Sequence, residues 1–402
     1  MHEDQGQGAG QALEDAAALS IVLPRGTNAE AISERLKLYE EIRYERAHSI
    51  QQFSRLAGRD WINGMPPLDS KLYPLLLASF LAASLLTKGS VTSYTKHNFG
   101  HDEIDHASDV FKRWKWAKQP GMFRRMPIAF GPFPGPQQDV YGRRRLADDP
   151  TSTFVSISVS FQTSRTFLET LLPSSQFKFQ TAATVATSTF SAIRLDNVAW
   201  LGGRGYTSFG LYVHGVQYVK KDGSIIHGTY LPVWFENLAD SIVSGRDELG
   251  LPKVFCDIET TGQGNSYSVE ASWGGATFAK IELDDLSQDD PSAENGTILD
   301  EADYGVLTYR YIPAVGEPGK ADAEYACVMP RDEEGKVQTA TVKTVSRAKR
   351  ASIKIQARDW ETLPTLHHIT SVLAEIPIYG IIGAKVVEGT GVPDGMSCKR
   401  IE

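Results

Sequence analysis

Two spacings of apolar residues divide the chain. From residue 7 to 118 they recur at three- and four-residue steps; beyond residue 151 they alternate with serine, threonine and charged positions. The first spacing gathers apolar side chains on one face of a helix, the second on one face of a strand. Helices are expected over 7–24 and 29–59. A third, 107–118, sets Phe111, Trp114 and Trp116 among lysines and is stopped by Gln119-Pro120-Gly121. Gly131-Pro132-Phe133-Pro134-Gly135-Pro136 forbids regular structure, which puts a domain boundary between that stretch and Pro150. After it, Phe154 to Phe161 alternates, as does Leu211 to Val219, where Lys220-Lys221-Asp222-Gly223 turns the chain into Ser224-Ile225-Ile226. Further strands are expected near 267–283, 305–312, 324–330, 337–344 and 351–357, and a short helix over 365–375. The expected fold class is α+β: helices over 1–118, a Pro/Gly-rich linker over 119–150, and an antiparallel β-barrel or sandwich over 151–402.

Composition narrows the partners. At 402 residues the chain is long enough for two or three domains. A net charge of −8 gives no general affinity for nucleic acid, so the Trp/Lys stripe of 107–118 reads as a packing face rather than a stacking platform. Arg143-Arg144-Arg145 is offset at once by Asp148-Asp149. Cysteines 256, 327 and 398 are widely spaced and odd in number, which suits a reduced, cytoplasmic setting rather than a disulfide framework. No signal peptide is apparent. The uninterrupted apolar run Leu75 to Leu86 falls short of the roughly twenty residues that a membrane span needs. It reads as a buried or interdomain helix, and without its packing surface it would promote association, which leaves homo-oligomerisation open.

The candidate chemistry lies in Ser244 to Glu259, SGRDELGLPKVFCDIE. Lys253 follows a proline and precedes Val254-Phe255-Cys256. A lysine in such surroundings loses hydration, which favours the neutral, nucleophilic amine needed for Schiff-base formation with a carbonyl compound. The plainer role is a strand-edge lysine whose stem packs while its head reaches water. A closed β cavity would let Tyr206, Tyr212, Tyr230, Trp234 and Phe255 line an apolar pocket around the amine. His367 and His368 suit acid–base work or a structural pair. No His/Asp/Glu group has metal-ligand spacing, so no metal is expected.

Gly245-Arg246-Asp247-Glu248 followed by Pro252-Lys253 resembles the signature of the acetoacetate decarboxylase family. Tyr230-Leu231-Pro232 through Phe235-Glu236-Asn237-Leu238-Ala239-Asp240 resembles the strand and acidic turn before it. Leu363-Pro364, His367-His368 and Leu373 to Pro377 resemble the family's closing segment, so the likeness runs from about Thr151 to Gly389. It implies that Lys253 condenses with the ketone of a β-keto acid, with no cofactor for the β domain. Three positions depart from the family pattern. Val254 stands where the family has a second lysine, Gln162 where it carries a substrate-facing arginine, and Ser208 where it carries a catalytic glutamate, with His214 a competing match for that place. Gln162, Ser208, His214, Tyr230, Arg246 and Phe255 are therefore the pocket candidates around Lys253. Glu236 and Asp240 fit the acidic turn or a surface or capping role equally. Loss of an arginine clamp argues against acetoacetate itself and for a larger, less polar keto compound.

The opening residues carry a second resemblance. Gln7-Gly8-Ala9-Gly10-Gln11-Ala12-Leu13-Glu14-Asp15-Ala16 is similar to the C-terminal flavin motif of FAD-dependent aromatic hydroxylases of the salicylate hydroxylase type. Arg35 to Ile50 resembles the helix that follows, and Asn98-Phe99-Gly100-His101-Asp102 the terminal segment, so the likeness covers about residues 5–110. It implies that Gly8, Ala9 and Gly10 would face an anionic part of FAD at a helix N-terminus. The strand and G-x-G-x-x-G fingerprint that holds a dinucleotide is missing. FAD is thus expected only if a complete monooxygenase domain is supplied, and the segment reads as the tail of a hydroxylase, from a truncated gene product or one end of a longer fusion.

Three functions remain open from sequence. The first is lysine-dependent decarboxylation, or related Schiff-base chemistry, on a β-keto acid in specialised polyketide or aromatic metabolism of a fungus. The second is FAD-dependent aromatic monooxygenation as part of a longer chain. The third is a non-catalytic β-barrel that binds a small ligand.

Overall fold

The computed structural model describes residues 7–57, 100–117, 121–145, 151–291, 305–330, 340–391 and 398–401. The run Leu75 to Leu86 and the pair Asn98-Phe99 lie outside the described residues. The chain divides into two compact units, Met1–Pro120 and Gly121–Glu402.

The first unit holds α1 (Gln7–Val22), α2 (Ile32–Ala57) and α3 (Glu103–Trp116). Their apolar stripes meet in a small core of Ala18, Val22, Leu38, Ile42 and Ala107. α3 starts four residues earlier than its apolar spacing indicates, because Asp102 caps it and accepts from the N–H groups of Ile104 and Asp105. Phe111 and Trp114 are covered by the Arg35 guanidinium, 4.6 and 4.8 Å from their ring centres.

The second unit is built on strands. In chain order they are β1 (Thr153–Ser164), β2 (Phe177–Phe179), β3 (Val185–Val198), β4 (Arg204–Val219) and β5 (Ile225–Glu236). There follow β6 (Lys253–Phe255), β7 (Asp257–Gln263), β8 (Ser266–Trp273), β9 (Ala276–Asp289) and β10 (Gly305–Pro313). The last are β11 (Ala321–Pro330), β12 (Ala340–Ile355), β13 (Gly380–Gly391) and β14 (Lys399–Ile401). Short helices α4 (Arg165–Glu169), α5 (Ala239–Ser244) and α6 (His367–Glu375) interrupt them. The fourteen strands among the described residues belong to one sheet, ordered β14-β11-β10-β5-β4-β3-β1-β13-β12-β9-β8-β7, with β2 beside β4 and β6 beside β5. Pairing is antiparallel except where β5 meets β10 and β6.

Each face of the central strands has its own core. On one face Phe161, Phe190, Phe209 and Phe235 stack across β1, β3, β4 and β5, with successive ring centres 5.5, 5.6 and 6.1 Å apart. The opposite face carries Phe154, Ile193, Leu195, Tyr212 and Leu231. Interleaved with them are the buried hydroxyls of Ser156, Ser158, Ser191 and Ser208. This mixed face is the one that Lys253 joins, since it pairs in register with Trp234.

Several elements differ from expectation. The run 267–283 is a hairpin, β8–β9, broken by the positive-φ pair Gly274-Gly275. Residues 340–344 and 351–355 of two separately expected strands fall on one long strand, β12, and 337–339 lie outside the described residues. β3 and β13 pass unnoticed in the sequence because serine, threonine and glycine occupy positions where alternation calls for apolar residues. Residues 121–145, read as part of a linker, fall within the second unit, where Arg125 is buried.

Candidate active site

One excursion of the chain builds the site. β5 ends in Glu236, α5 follows, a π turn spans Gly245–Leu249, and the chain returns as β6, parallel to β5. The carbonyl of Pro252 accepts from the Trp234 N–H at 3.0 Å, and that of Glu236 from the Cys256 N–H at 3.0 Å. These bonds fix Lys253 beside Trp234.

The signature residues have separate mechanical tasks. Gly250 ends the turn at φ +70, and a Cβ there would lie 2.7 Å from Cys327 Sγ, so only glycine fits. Gly245 is helical in φ and ψ, so its constraint is space: a Cβ there would stand 2.4 Å from Lys253 Cδ, 2.5 Å from Cε and 3.0 Å from Nζ. Arg246, exposed at its head, donates to the Lys253 carbonyl at 3.0 Å. Glu248 meets the buried Arg125, 3.4 Å away, and Arg125 also donates to Ser244 Oγ at 2.5 Å while lying over the Phe133 ring. Burial raises the Glu248 carboxyl above its ordinary value, against the pull of Arg125.

Lys253 is enclosed, and its charge is answered from β5. Its Nζ lies 2.7 Å from Glu236 Oε1, the two side chains being 6% and 0% exposed. Nζ also donates to the Ser241 carbonyl at 3.3 Å, while Ser241 Oγ donates to Glu236 Oε2. The indole of Trp234 stands 4.8 Å from Nζ and the ring of Tyr206 6.0 Å. Burial first, and then the Glu236 charge, push the Tyr206 phenol far above its usual range, so it stays protonated beside the amine. A cation this enclosed is tolerated only beside a counter-charge held by further hydrogen bonds, which Glu236 and Ser241 provide.

The other candidates scatter. Ser208 lies directly across from Glu236 in the β4–β5 ladder, so the position that resembles a glutamate site has its carboxylate on the neighbouring strand. Its own hydroxyl donates to the Ile193 carbonyl at 3.4 Å. His214 is held by hydroxyls, Nε2 2.7 Å from Thr189 Oγ1 and Nδ1 3.2 Å from Thr229 Oγ1, with Ser160 next in the chain. Gln162 is exposed on β1. Tyr230 belongs to the opposite core, where its ring packs on Phe177, and Phe255 is 44% exposed, so neither lines the lysine's pocket as expected. Val254 packs against that opposite core too, because neighbouring strand residues face opposite ways. A lysine at 254 would therefore lie on the other face from Nζ. His367 stacks on Trp360, with ring centres 6.1 Å apart, and Asp240 is exposed. No hydrogen bond, ion pair or ring contact among the described residues joins any of these three to Lys253. Glu236, which fits the acidic turn or a surface or capping role equally in the sequence, extends the Trp234 side of β5 by one strand period and faces the amine.

Two groups are suggested for the helical unit, a dinucleotide by its sequence and a metal ion by its geometry. Gly8 and Ala9 are exposed in the first turn of α1, and the described part of this unit is helical. Among the described residues no strand and glycine turn accompanies this helix N-terminus, so they do not fit a dinucleotide. Glu14, His101 and Glu103 bring three ligand atoms within 4.8 Å of one another. Arg43 and Arg46 already fill that centre: Arg43 donates to Glu14 and Glu103, both at 2.8 Å, and Arg46 to Glu14 at 2.6 Å. It is an ion-pair lock.

Fold and site together define a β-sheet protein organised around the buried amine of Lys253 and its carboxylate partner. Residues 125–387 match the family model for acetoacetate decarboxylase (ADC), and the chain belongs to that family. The family supports a decarboxylase or related lyase-type function. Similar solved structures include the acetoacetate decarboxylase of Legionella pneumophila subsp. pneumophila str. Philadelphia 1, at 17% identity over 63% of this chain and 91% of that one, TM-score 0.43. Another is an acetoacetate decarboxylase-like enzyme from Sphingomonas wittichii RW1, at 13% identity over 64% and 95%, TM-score 0.41. A short N-terminal stretch is similar to FAD-dependent monooxygenases. It is 51% identical over 45 residues to hispidin-3-hydroxylase of Neonothopanus nambi, covering 11% of each chain. It is 50% identical over 50 residues to the FAD-dependent monooxygenase phomE of Diaporthe leptostromiformis, covering 12% of this chain and 14% of that one. The chain thus spans only a small part of these curated relatives. No helix among the described residues is long and apolar enough to cross a membrane.

Proposed function

We propose that this protein decarboxylates a β-keto acid through a Schiff base on Lys253. The observation that carries this reading is the buried Lys253–Glu236 pair, 2.7 Å apart and flanked by Trp234 and Tyr206. A proton passes from Nζ to Glu236 Oε1, and the neutral amine attacks the ketone carbon. The carbonyl oxygen becomes the carbinolamine hydroxyl, with one proton left on nitrogen and one on Glu236. Glu236 gives its proton to that hydroxyl, water leaves, and the iminium faces a carboxylate again. The pair therefore begins and ends as cation and anion, so no net charge is buried along this path. The iminium draws the electrons of the breaking carbon–carboxylate bond, carbon dioxide departs, and the enamine takes a proton from water before hydrolysis frees the ketone and the amine.

The site operates in the reduced form of the chain without a metal or flavin. The test is carbon dioxide release from a panel of β-keto acids by the full chain, with Lys253→Met as control. Release that depends on Lys253 supports the reading; equal rates for both proteins would end it. A second reading, ligand binding without covalent chemistry, is favoured by the closed state of the ion pair, which holds the amine as a donor rather than a nucleophile.

A further inference from the structure

Ahead of β1, residues 121–145 are tied together by one side chain. Gln138 is 1% exposed, and its Oε1 accepts from the Phe123 N–H at 2.7 Å. Its Nε2 donates to the carbonyls of Phe123 and Phe133, the latter at 3.0 Å. A primary amide meets both demands, since it carries an acceptor and two donors. The backbone carbonyl of Gln138 accepts from the Gly135 N–H at 3.0 Å and from Arg145 Nε at 3.2 Å, which draws four parts of the segment to one point. Phe133, held in this way, presents its ring to Arg125, whose guanidinium carbon lies 3.8 Å from the ring centre. Arg125 in turn reaches across 119 residues of sequence to Ser244 Oγ and also faces Glu248. Gly135 closes on the same two residues, since a Cβ there would lie 3.5 Å from Ser244 Oγ and 3.4 Å from Glu248 Oε1.

From these contacts we infer that Gln138 is a positioning residue for Lys253. It locks a strap, residues 121–145, whose Arg125, Phe133 and Gly135 press the turn 244–248 against the lysine stem. The path runs through packed and hydrogen-bonded groups at every step. Gln138 holds Phe133, Phe133 holds Arg125, and Arg125 holds Ser244. Ser244 is bonded to Gly245, whose lack of a Cβ makes room for Lys253 Cδ and Cε. The turn that receives this hold is a single π turn, a rare form that is frequent at functional sites. Without the amide, the Phe123 N–H and two carbonyls lose their partner inside the segment, and the strap loosens before the sheet does. The catalytic consequence rests on the Schiff-base reading of Lys253; the placement of its amine does not.

The test follows two lysines of the full chain. Lys253 and Lys385 are each 5% exposed, and Lys385 lies on β13, four strands from β5 in the order β5-β4-β3-β1-β13. Gln138→Met keeps the length and removes the amide; Phe133→Leu is the milder change and removes the ring beneath the guanidinium. Each variant, with Arg125→Met and the Gln138→Met/Arg125→Met double variant, is shown to be folded, acetylated briefly with acetic anhydride and mapped by peptide mass. Opening of the whole unit exposes both lysines alike, whereas release of the strap exposes Lys253 alone. Acetylation of Lys253 relative to Lys385 should rise roughly fivefold or more in each single variant, the worth of one hydrogen bond. Borohydride trapping of pentane-2,4-dione on Lys253 should fall in the same variants. The double variant should match Arg125→Met, because both residues act through one contact; a product of the two single effects overturns the path. An unchanged Lys253-to-Lys385 ratio in the folded variants overturns the strap's role. If the ratio rises as expected but wild type traps no ketone, the strap stands and the Schiff-base reading falls.

Discussion

Gly245→Ala separates the two demands placed on the signature glycine. Its φ of −62 and ψ of −42 suit any residue, and in a helical setting alanine gains about 1 kcal/mol over glycine. Against this, the new methyl would stand 2.4 and 2.5 Å from Lys253 Cδ and Cε, where carbon atoms prefer about 3.5–4.0 Å. The atoms that must yield belong to the flexible end of Lys253, so the backbone need not move. A displacement of about 1 Å relieves the clash but draws Nζ from its 2.7 Å contact with Glu236 beyond hydrogen-bond range. Separating a buried pair costs about 3–5 kcal/mol. With the helical gain set against it, the net loss should be roughly 2–4 kcal/mol in urea unfolding. Borohydride trapping of a ketone, measured on protein shown to be folded, should fall by about tenfold or more, the equivalent of 1.4 kcal/mol. An alanine variant as stable as wild type and fully trapped would refute the reasoning, since the lysine would then have had room to spare.

Glu236→Gln should lower unfolding stability by about 3–5 kcal/mol and abolish carbon dioxide release, because Lys253 loses both its counter-charge and its proton acceptor; Glu236→Asp should restore part of each. Arg125→Met leaves Glu248 buried without a cation and frees the turn that walls Lys253, so a similar stability loss, read by thermal unfolding, should accompany weaker trapping. In the helical unit, Glu14 is partly buried, which alone would raise it, but hydrogen bonds from Arg46 and Arg43 hold its carboxyl down at about 2. That contribution is present above the ordinary carboxylate range and is lost as pH falls from about 4.5 to 2. Acid titration of helical circular dichroism should show this step in wild type, and Glu14→Gln should shrink it. Burial raises the Cys256 thiol and pushes that of Cys327 up to about 11, so both should resist a thiol reagent until the chain unfolds.

Much of the fold could be read from residues whose environment is simple. The helices of the first unit show a clean apolar stripe, and β4, with Leu211, Val213 and Val219 alternating against polar positions, announces itself as a strand. β3 and β13 do not, because serine and threonine in β3 and glycine in β13 interrupt the apolar alternation. Lys253 was legible because a lysine inside Pro252-Lys253-Val254-Phe255 is unusual in itself. Glu236 was not, since its partner is seventeen residues away and only the return of β6 alongside β5 brings them together. Val254 stands where the resemblance places a second lysine, but strand geometry sends the side chains of 253 and 254 to opposite faces.

Peptide mass mapping shows directly whether Lys253 is the nucleophile. The full chain is incubated with pentane-2,4-dione, or with a β-keto acid that it decarboxylates, then reduced with borohydride and digested. One reduction-dependent adduct is expected, on Lys253, absent from Lys253→Met and strongly diminished in Glu236→Gln. Folded wild-type protein carrying no adduct on Lys253, or adducts spread over surface lysines that persist in Lys253→Met, would contradict it.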